Sequence, residues 1–260
     1  MIPKIFHYCR FGGSPLQKAD LECINTWKKF HPDFTFMLWD ESNFDLKNDF
    51  LEDLYEMKKW ACYTEYVRYY ALKKYGGVYF DTDIVLLKDL SPLLKNDFFI
   101  GFETESTIGV SAIGSVPNHP ILDDFLRYYD SYIKGDKLLW SIYVSGPVIG
   151  KYADVKNTGK ALEFSSNSFV YPPEYFYPLP YEMADEVDKY KYVTRNSYTL
   201  HLWNASWVDE WTLFWAGRYK SAWKVVTKTL KSKPYQPLSY YKNLLYHAFR
   251  QIRGKKYQEA

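Results

Sequence analysis

The residues best suited to chemistry are two aspartates one residue apart, Asp81 and Asp83, in the stretch Lys74 to Lys88, KYGGVYFDTDIVLLK. Two carboxylates on so short a segment can converge on one cation, and a hard divalent metal such as Mn2+ or Mg2+ takes oxygen ligands of this kind. With the backbone extended through Thr82, side chains two residues apart point to the same side. The pair alone is a weak signal. Aspartate is common enough in these 260 residues to give about one Asp-x-Asp by chance, and a surface turn after a strand is the plainer alternative.

The neighbouring elements raise its weight. Gly76 and Gly77 offer the left-handed cap and turn that end a helix, and Val78 to Phe80 reads as a short buried strand. Upstream, Leu51 to Tyr75 repeats apolar residues every three or four positions (Leu54, Met57, Ala61, Val67, Ala71), which predicts one long helix running into the site. Glu65 and Arg68 share a face of it. They form either a surface ion pair or, for the planar fork of Arg68, a contact to a phosphate or sugar hydroxyl.

Earlier still, Ile2 to Tyr8 reads as a first strand stopped by Gly12-Gly13, and nucleotides sit at such carboxyl ends in open α/β sheets. His7 there is either a ligand or base, or a buried and satisfied histidine. Leu16 to Phe30 has helical recurrence ended by Pro32, and Phe34 to Trp39 is a second strand. Further strands are expected at Ile84 to Leu87, Phe98 to Glu103 and Ile108 to Gly114, with an amphipathic helix at Pro120 to Tyr132. Ser145-Gly146-Pro147 reads as a small-residue turn, open to a ligand or simply a turn. From Phe164 to Tyr181 aromatics alternate with prolines, which predicts an ordered loop packed by its own rings. Tyr198 to Trp211 starts as a strand, and His201 on it either completes a metal site with Asp81 and Asp83 or is structural. Six strands alternating with helices through Gly150 imply an α/β fold with one mostly parallel sheet.

The totals are those of a folded soluble protein: 47% hydrophobic and 25% charged, with 20% aromatics including 26 tyrosines. Flat rings with a polar edge suit sugars and nucleobases. No apolar run reaches membrane-spanning length, and the first residues lack a signal-peptide pattern, so a cytoplasmic location is expected. Three cysteines without a Cys-x-x-Cys spacing suggest reduced structural thiols, and the Asn204-Ala205-Ser206 sequon is then accidental. The net charge of +2 hides an asymmetry: from Ala216 onward eleven Lys and Arg face one acid, whereas the remainder carries 22 basic and 30 acidic residues. Residues 215–260 therefore read as a basic, aromatic appendage to a domain of residues 1–214, broken into two helices at Pro234 and Pro237. Such a segment either lies on an anionic membrane or packs its rings on the body; nucleic-acid binding is disfavoured by the acidic remainder.

Taken in order, IPKIFHYCRFGG, CINTWKKFHPDF, WDESNFD, YEMKKWACYTEYVRYYALKKYGGVYFDTDIVLL, GFE, SGP, YPPEYFYP and HLWNASW resemble the family 32 glycosyltransferases, the Asp-x-Asp sugar transferases common in bacterial capsule and surface polysaccharide synthesis. The resemblance spans about Ile2 to Trp207. It implies a GT-A type fold, a nucleotide-sugar donor of the UDP class, a Mn2+ or Mg2+ ion, and retaining transfer to a glycan or lipid-linked oligosaccharide. By position it makes Asp81, Asp83 and His201 the metal ligands and Asp81, Asp83, Arg68 and Glu65 the catalytic set. Donor contacts fall to His7, Tyr8, Phe11, Arg68, Asp81, Ser145, Ser206 and Trp207. The chain departs from the family at Arg10, where tryptophan is usual, at Thr64-Glu65 in place of Ser-Asp, and at NASW, where a glycine commonly precedes Ser-Trp. Two other readings use the same residues: a haloacid-dehalogenase-type phosphatase with Asp81 as nucleophile, lacking a downstream Gly-Asp cluster, and a non-catalytic carbohydrate-binding module.

Overall fold

Seven strands hydrogen-bond into one mixed sheet in the order β2-β1-β3-β6-β5-β8-β7. The computed structural model describes residues 1–130, 141–204 and 208–258. The strands are β1 (Ile5–Cys9), β2 (Thr35–Trp39), β3 (Gly77–Phe80), β5 (Phe98–Phe102), β6 (Ile108–Ser115), β7 (Leu162–Ser165) and β8 (Ser168–Tyr171), while β4 (Ile84–Leu86) and β9 (Thr199–His201) form a separate antiparallel pair. Within the large sheet β2, β1, β3, β5 and β8 run one way and β6 and β7 the other. This is the mostly parallel α/β arrangement expected from the sequence.

Central strands β3, β5 and β6 are buried at every residue. That is why they read as continuous apolar runs, both faces being covered by other elements. The covering helices are α1 (Lys18–Phe30), α2 (Asp49–Glu56), α3 (Trp60–Tyr75), α4 (Pro120–Asp130), α5 (Ser141–Ile149) and the short α6 (Pro173–Phe176). Helix α3 packs on β1, β3 and α4, and α5 packs on β6 and α4. Cys9, Cys23 and Cys62 are all buried and unbridged.

Three sequence expectations change. The single helix over Leu51 to Tyr75 is two helices, because Lys58 takes a left-handed conformation (φ 55°) and Met57, the residue that bridged the apolar repeat, is exposed. The turn at Ser145-Gly146-Pro147 lies inside α5; Pro147 sits in the body of the helix, where proline is a poor guide to a break once packing holds the segment. In the aromatic and proline stretch, Phe164 to Tyr171 belongs to the sheet through β7 and β8, and the ring-packed loop starts only at Pro172. Its rings do close on the sheet, with Phe176 stacked on Phe99 at 5.5 Å.

The chain divides into two units, Met1–Pro180 with Tyr190–Leu202, and Tyr181–Lys189 with Trp203–Ala260. The boundary expected at residue 214 falls inside α7 (Glu210–Trp215), whose Leu213 and Phe214 bury against Ala222 and Val226 of α8 (Tyr219–Ser232). A final helix, α9 (Leu238–Gln258), follows the two prolines as the sequence predicts.

Candidate functional site

The Asp81–Asp83 segment is a turn and not the extended strand inferred from residue spacing. It joins β3 of the large sheet to β4 of the small one, and the Ile84 amide closes it on the Asp81 carbonyl at 3.1 Å. Two backbone bonds fasten its ends: the Asp81 amide donates to Ser111 of β6 (3.0 Å), and the Leu202 amide donates to Asp83 (3.0 Å). The glycines before it are needed as expected. Gly76 and Gly77 have φ of 64° and 110°, and a Cβ on Gly77 would lie 2.7 Å from the Ile5 carbonyl oxygen.

Helix α1 holds the turn and β4 from the edge that β9 leaves open. Thr82 donates its hydroxyl to Asp20 (3.1 Å), the Trp27 indole donates to the Ile84 carbonyl (2.7 Å), and Thr26 accepts from the Leu86 amide (2.8 Å). Asp20 also accepts from the Gln17 amide at 2.8 Å, so one carboxylate caps α1 and anchors the middle residue of the Asp-Thr-Asp motif. Side chains on one helical face thereby supply the partners that a third strand would have supplied.

On the other edge, pairing of β4 with β9 sets His201 opposite Ile84. Its Nε2 lies 3.1 Å from the Asp83 carboxylate. Asp81, Asp83 and His201 each present a ligand atom, all within 4.8 Å of one another. Burial opposes a proton on His201, and the facing Asp83 carboxylate, helped by Asp81 and Glu103, outweighs it and raises the imidazole above its ordinary value. Two carboxylate oxygens and an imidazole match the donor preferences of Mn2+ or Mg2+, with the nitrogen favouring the former. The donor set thus fits the metal that the sequence implies.

A second layer lies behind Asp81. Arg68, 4% exposed, donates from Nη1 to the Val110 carbonyl (2.6 Å), places Nη2 3.4 Å from Asp81, and stacks its guanidinium on the Tyr79 ring at 4.6 Å. Tyr79 in turn donates its hydroxyl to the same Asp81 oxygen (2.8 Å). Glu65 is equally buried and accepts from Tyr129 of α4 at 3.1 Å. The surface-pair reading of Glu65 and Arg68 is therefore overturned: both charges are inside, where only fully partnered ions are tolerated.

The remaining sequence candidates divide. Tyr8 is half-buried, edge-on to Trp27 at 5.7 Å. His7 is wholly buried; Trp39 Nε1 donates to its Nδ1 (3.1 Å), so its Nε2 carries the proton and donates to the Gly76 carbonyl (2.7 Å). Burial pushes this imidazole down to about 4, against the pull of the Gly76 bond. Phe11 packs between Tyr63 and Phe44. Ser145 is buried, donating to the Ile108 carbonyl at 2.8 Å. Ser206 and Trp207 lie outside the described residues.

Sequence reasoning missed Tyr79, Tyr129, Tyr177 and Asp20. Tyr79 had a signal, standing on β3 two residues before Asp81. Tyr177 accepts from the Ser111 and Ala112 amides (2.9 and 3.2 Å) and holds its ring 6.0 Å from His201; nothing in its proline-rich surroundings marks that role. Asp20 sits in the first turn of α1, where an acid is ordinary and carries no signal of its own.

Residues 18–100, from α1 through the Asp-x-Asp turn, match the glycosyltransferase sugar-binding region containing a DXD motif. A mannosyl phosphorylinositol ceramide synthase of Saccharomyces cerevisiae is 30% identical over 142 residues, covering 52% of this chain and 37% of that protein. An inositol phosphoceramide mannosyltransferase of Schizosaccharomyces pombe is 31% identical over 134 residues, covering 48% and 36%. Among solved structures, PaToxG glycosyltransferase resembles 58% of this chain and 69% of its own, with TM-score 0.49 and 19% identity. The chain spans little more than a third of the length of these two curated relatives.

Proposed function

We propose, from the premise that this chain belongs to the glycosyltransferases with a DXD-containing sugar-binding region, that it moves a sugar from a nucleoside diphosphate donor of the UDP class to a lipid-linked oligosaccharide or glycan, with retention of anomeric configuration. One observation carries the reading. Asp81 and Asp83 at the family's motif and His201, 118 residues beyond Asp83, present ligand atoms within 4.8 Å of one another. The names of the two yeast relatives support a lipid-borne acceptor, and the resemblance to capsule-type transferases supports surface polysaccharide synthesis at the cytoplasmic face of a membrane.

Asp81 and Asp83 would hold Mn2+ or Mg2+ with His201, and such a cation, when bound, neutralises the charge that develops on a departing diphosphate. The chain's own groups do the rest. Arg68 and Tyr79 fix the orientation of the Asp81 carboxylate, because both reach the same oxygen. Thr82, through Asp20, keeps the two aspartates on one turn. Glu65 and Arg68 hold the transferred sugar, whose fit the longer acid at position 65 adjusts. Front-face attack needs no dedicated side-chain base, since the departing phosphate oxygen takes the acceptor proton.

The test is a panel of UDP- and mannosyl nucleotide donors incubated with Mn2+. A transferase releases nucleoside diphosphate and free sugar slowly, faster with acceptor, and Asp83→Ala abolishes this. Release of inorganic phosphate from a phosphomonoester, or no release from any donor, overturns the reading. Proton NMR of the product's anomeric centre decides retention.

A further inference from the structure

Helix α9 has one face inside its unit and one outside, and the outer face is apolar. On the inner face Tyr240 donates its hydroxyl to Glu210 (2.6 Å) and meets the Trp211 ring at 5.0 Å, while His247 stacks on Phe214 at 4.9 Å. The outer face carries Leu238, Leu245 and Phe249, which are 71%, 61% and 64% exposed. Spacings of seven and four residues put these three within about 40° of one another around the helix. Tyr241 and Lys242 flank the row, both exposed.

Charge says what covers it. Helix α9 contains five Lys and Arg and no acid, and Lys224, Lys228 and Lys231 share one exposed face of α8. Everything before Ala216 has an acidic excess, 22 basic against 30 acidic residues, so the net positive charge lies in the stretch that bears the apolar row. An apolar stripe flanked by Lys242, in a segment rich in cations, matches a lipid surface with anionic headgroups: the hydrocarbon side chains enter the acyl boundary and the ammonium groups stay among phosphates. No described helix is long and apolar enough to cross a membrane, and the row is one face wide, which suits a helix lying in the interface.

We propose that α9 docks in the plane of an anionic lipid bilayer with Leu238, Leu245 and Phe249 inserted, bringing the enzyme to a lipid-linked acceptor. The purpose rests on the acceptor reading above; the docking itself is measured apart from it. The full chain is sedimented with phosphatidylcholine vesicles, with or without phosphatidylglycerol, at low and high salt. It should pellet only with the anionic vesicles and be released by salt. The Leu245→Ser/Phe249→Ser pair should lower partitioning by about tenfold, and Lys242→Gln by about fivefold. Both variants should keep the wild-type melting temperature and the nucleotide release from soluble donor, which alone decides the transferase reading. A wild type that stays in the supernatant overturns the proposal. So does a double variant that pellets as well as wild type, since binding would then rest on charge alone. A concentration-dependent dimer lost in the double variant, without vesicle binding, would make a second copy the occupant and overturn it equally.

Discussion

In the first unit the ions Glu65 and Arg68 turn inward and rings close over them, whereas on helix α9 an apolar row and Lys242 turn outward. Glu65 and Arg68 are each about as buried as the apolar core, and each has a tyrosine against it: Tyr129 on Glu65, Tyr79 on Arg68. Leu245 and Phe249 on α9 are more exposed than either charge. The contrast teaches where interaction with a partner is carried. An inward, fully partnered ion cluster gives a rigid site whose geometry decides chemistry; an outward apolar row gives a surface whose area and charge decide only location.

That contrast predicts a graded set of responses. The sharpest is Arg68→Ala, which leaves the buried Val110 carbonyl without its guanidinium donor and Asp81 without its cation. It should cost about 3–5 kcal/mol of stability, read as a lower urea midpoint, whereas Lys242→Ala should leave the midpoint unchanged. Equal effects at the two positions would erase the distinction. Asp83→Ala sits at the site's rim and should fold normally, yet lose about 10^3-fold or more in turnover together with any stabilisation by Mn2+ in a thermal melt.

Acid sensitivity sharpens the comparison further, because it should come from an inward group. His7 is held neutral by burial, its imidazole lowered from 6.5 to about 4. The unfolded chain therefore takes up a proton before the folded one does. The stability associated with neutral His7 is complete above pH 6.5 and is lost as pH falls toward 4, amounting to about 3 kcal/mol. Urea titrations of wild type and His7→Gln across that window should differ in slope, the variant being flatter; parallel curves would remove His7 as the cause. The smallest effect expected is at Thr82. Thr82→Val deletes one hydroxyl bond to Asp20, worth about 1 kcal/mol, and should weaken Mn2+ binding several-fold by calorimetry, with Thr82→Ser restoring it.

Much of the scaffold around the site is legible in local pattern. The Gly76-Gly77 cap, the buried run of β3 and the two helices on either side of Pro234 and Pro237 depend on backbone preferences that act over a few residues, so spacing reveals them. The single helix read across Leu51 to Tyr75 failed for the same reason: Met57 kept the apolar period, but the period does not register that Met57 faces water and Lys58 turns the chain.

What the sequence by itself determined, then, is the identity of the acidic motif, the elements that lead into it, and the segregation of cations into the last helices. Only the tertiary structure decided that Asp81 and Asp83 converge through a turn, that His201 reaches them by the pairing of β9 with β4, that Glu65 and Arg68 are interior ions, and which face of α9 is left uncovered. Dihedral preferences and helical period are carried by neighbouring residues and survive in one dimension. Strand pairing over 118 residues and the covering of one helical face are settled by contacts between segments, whose free energy no local spacing records.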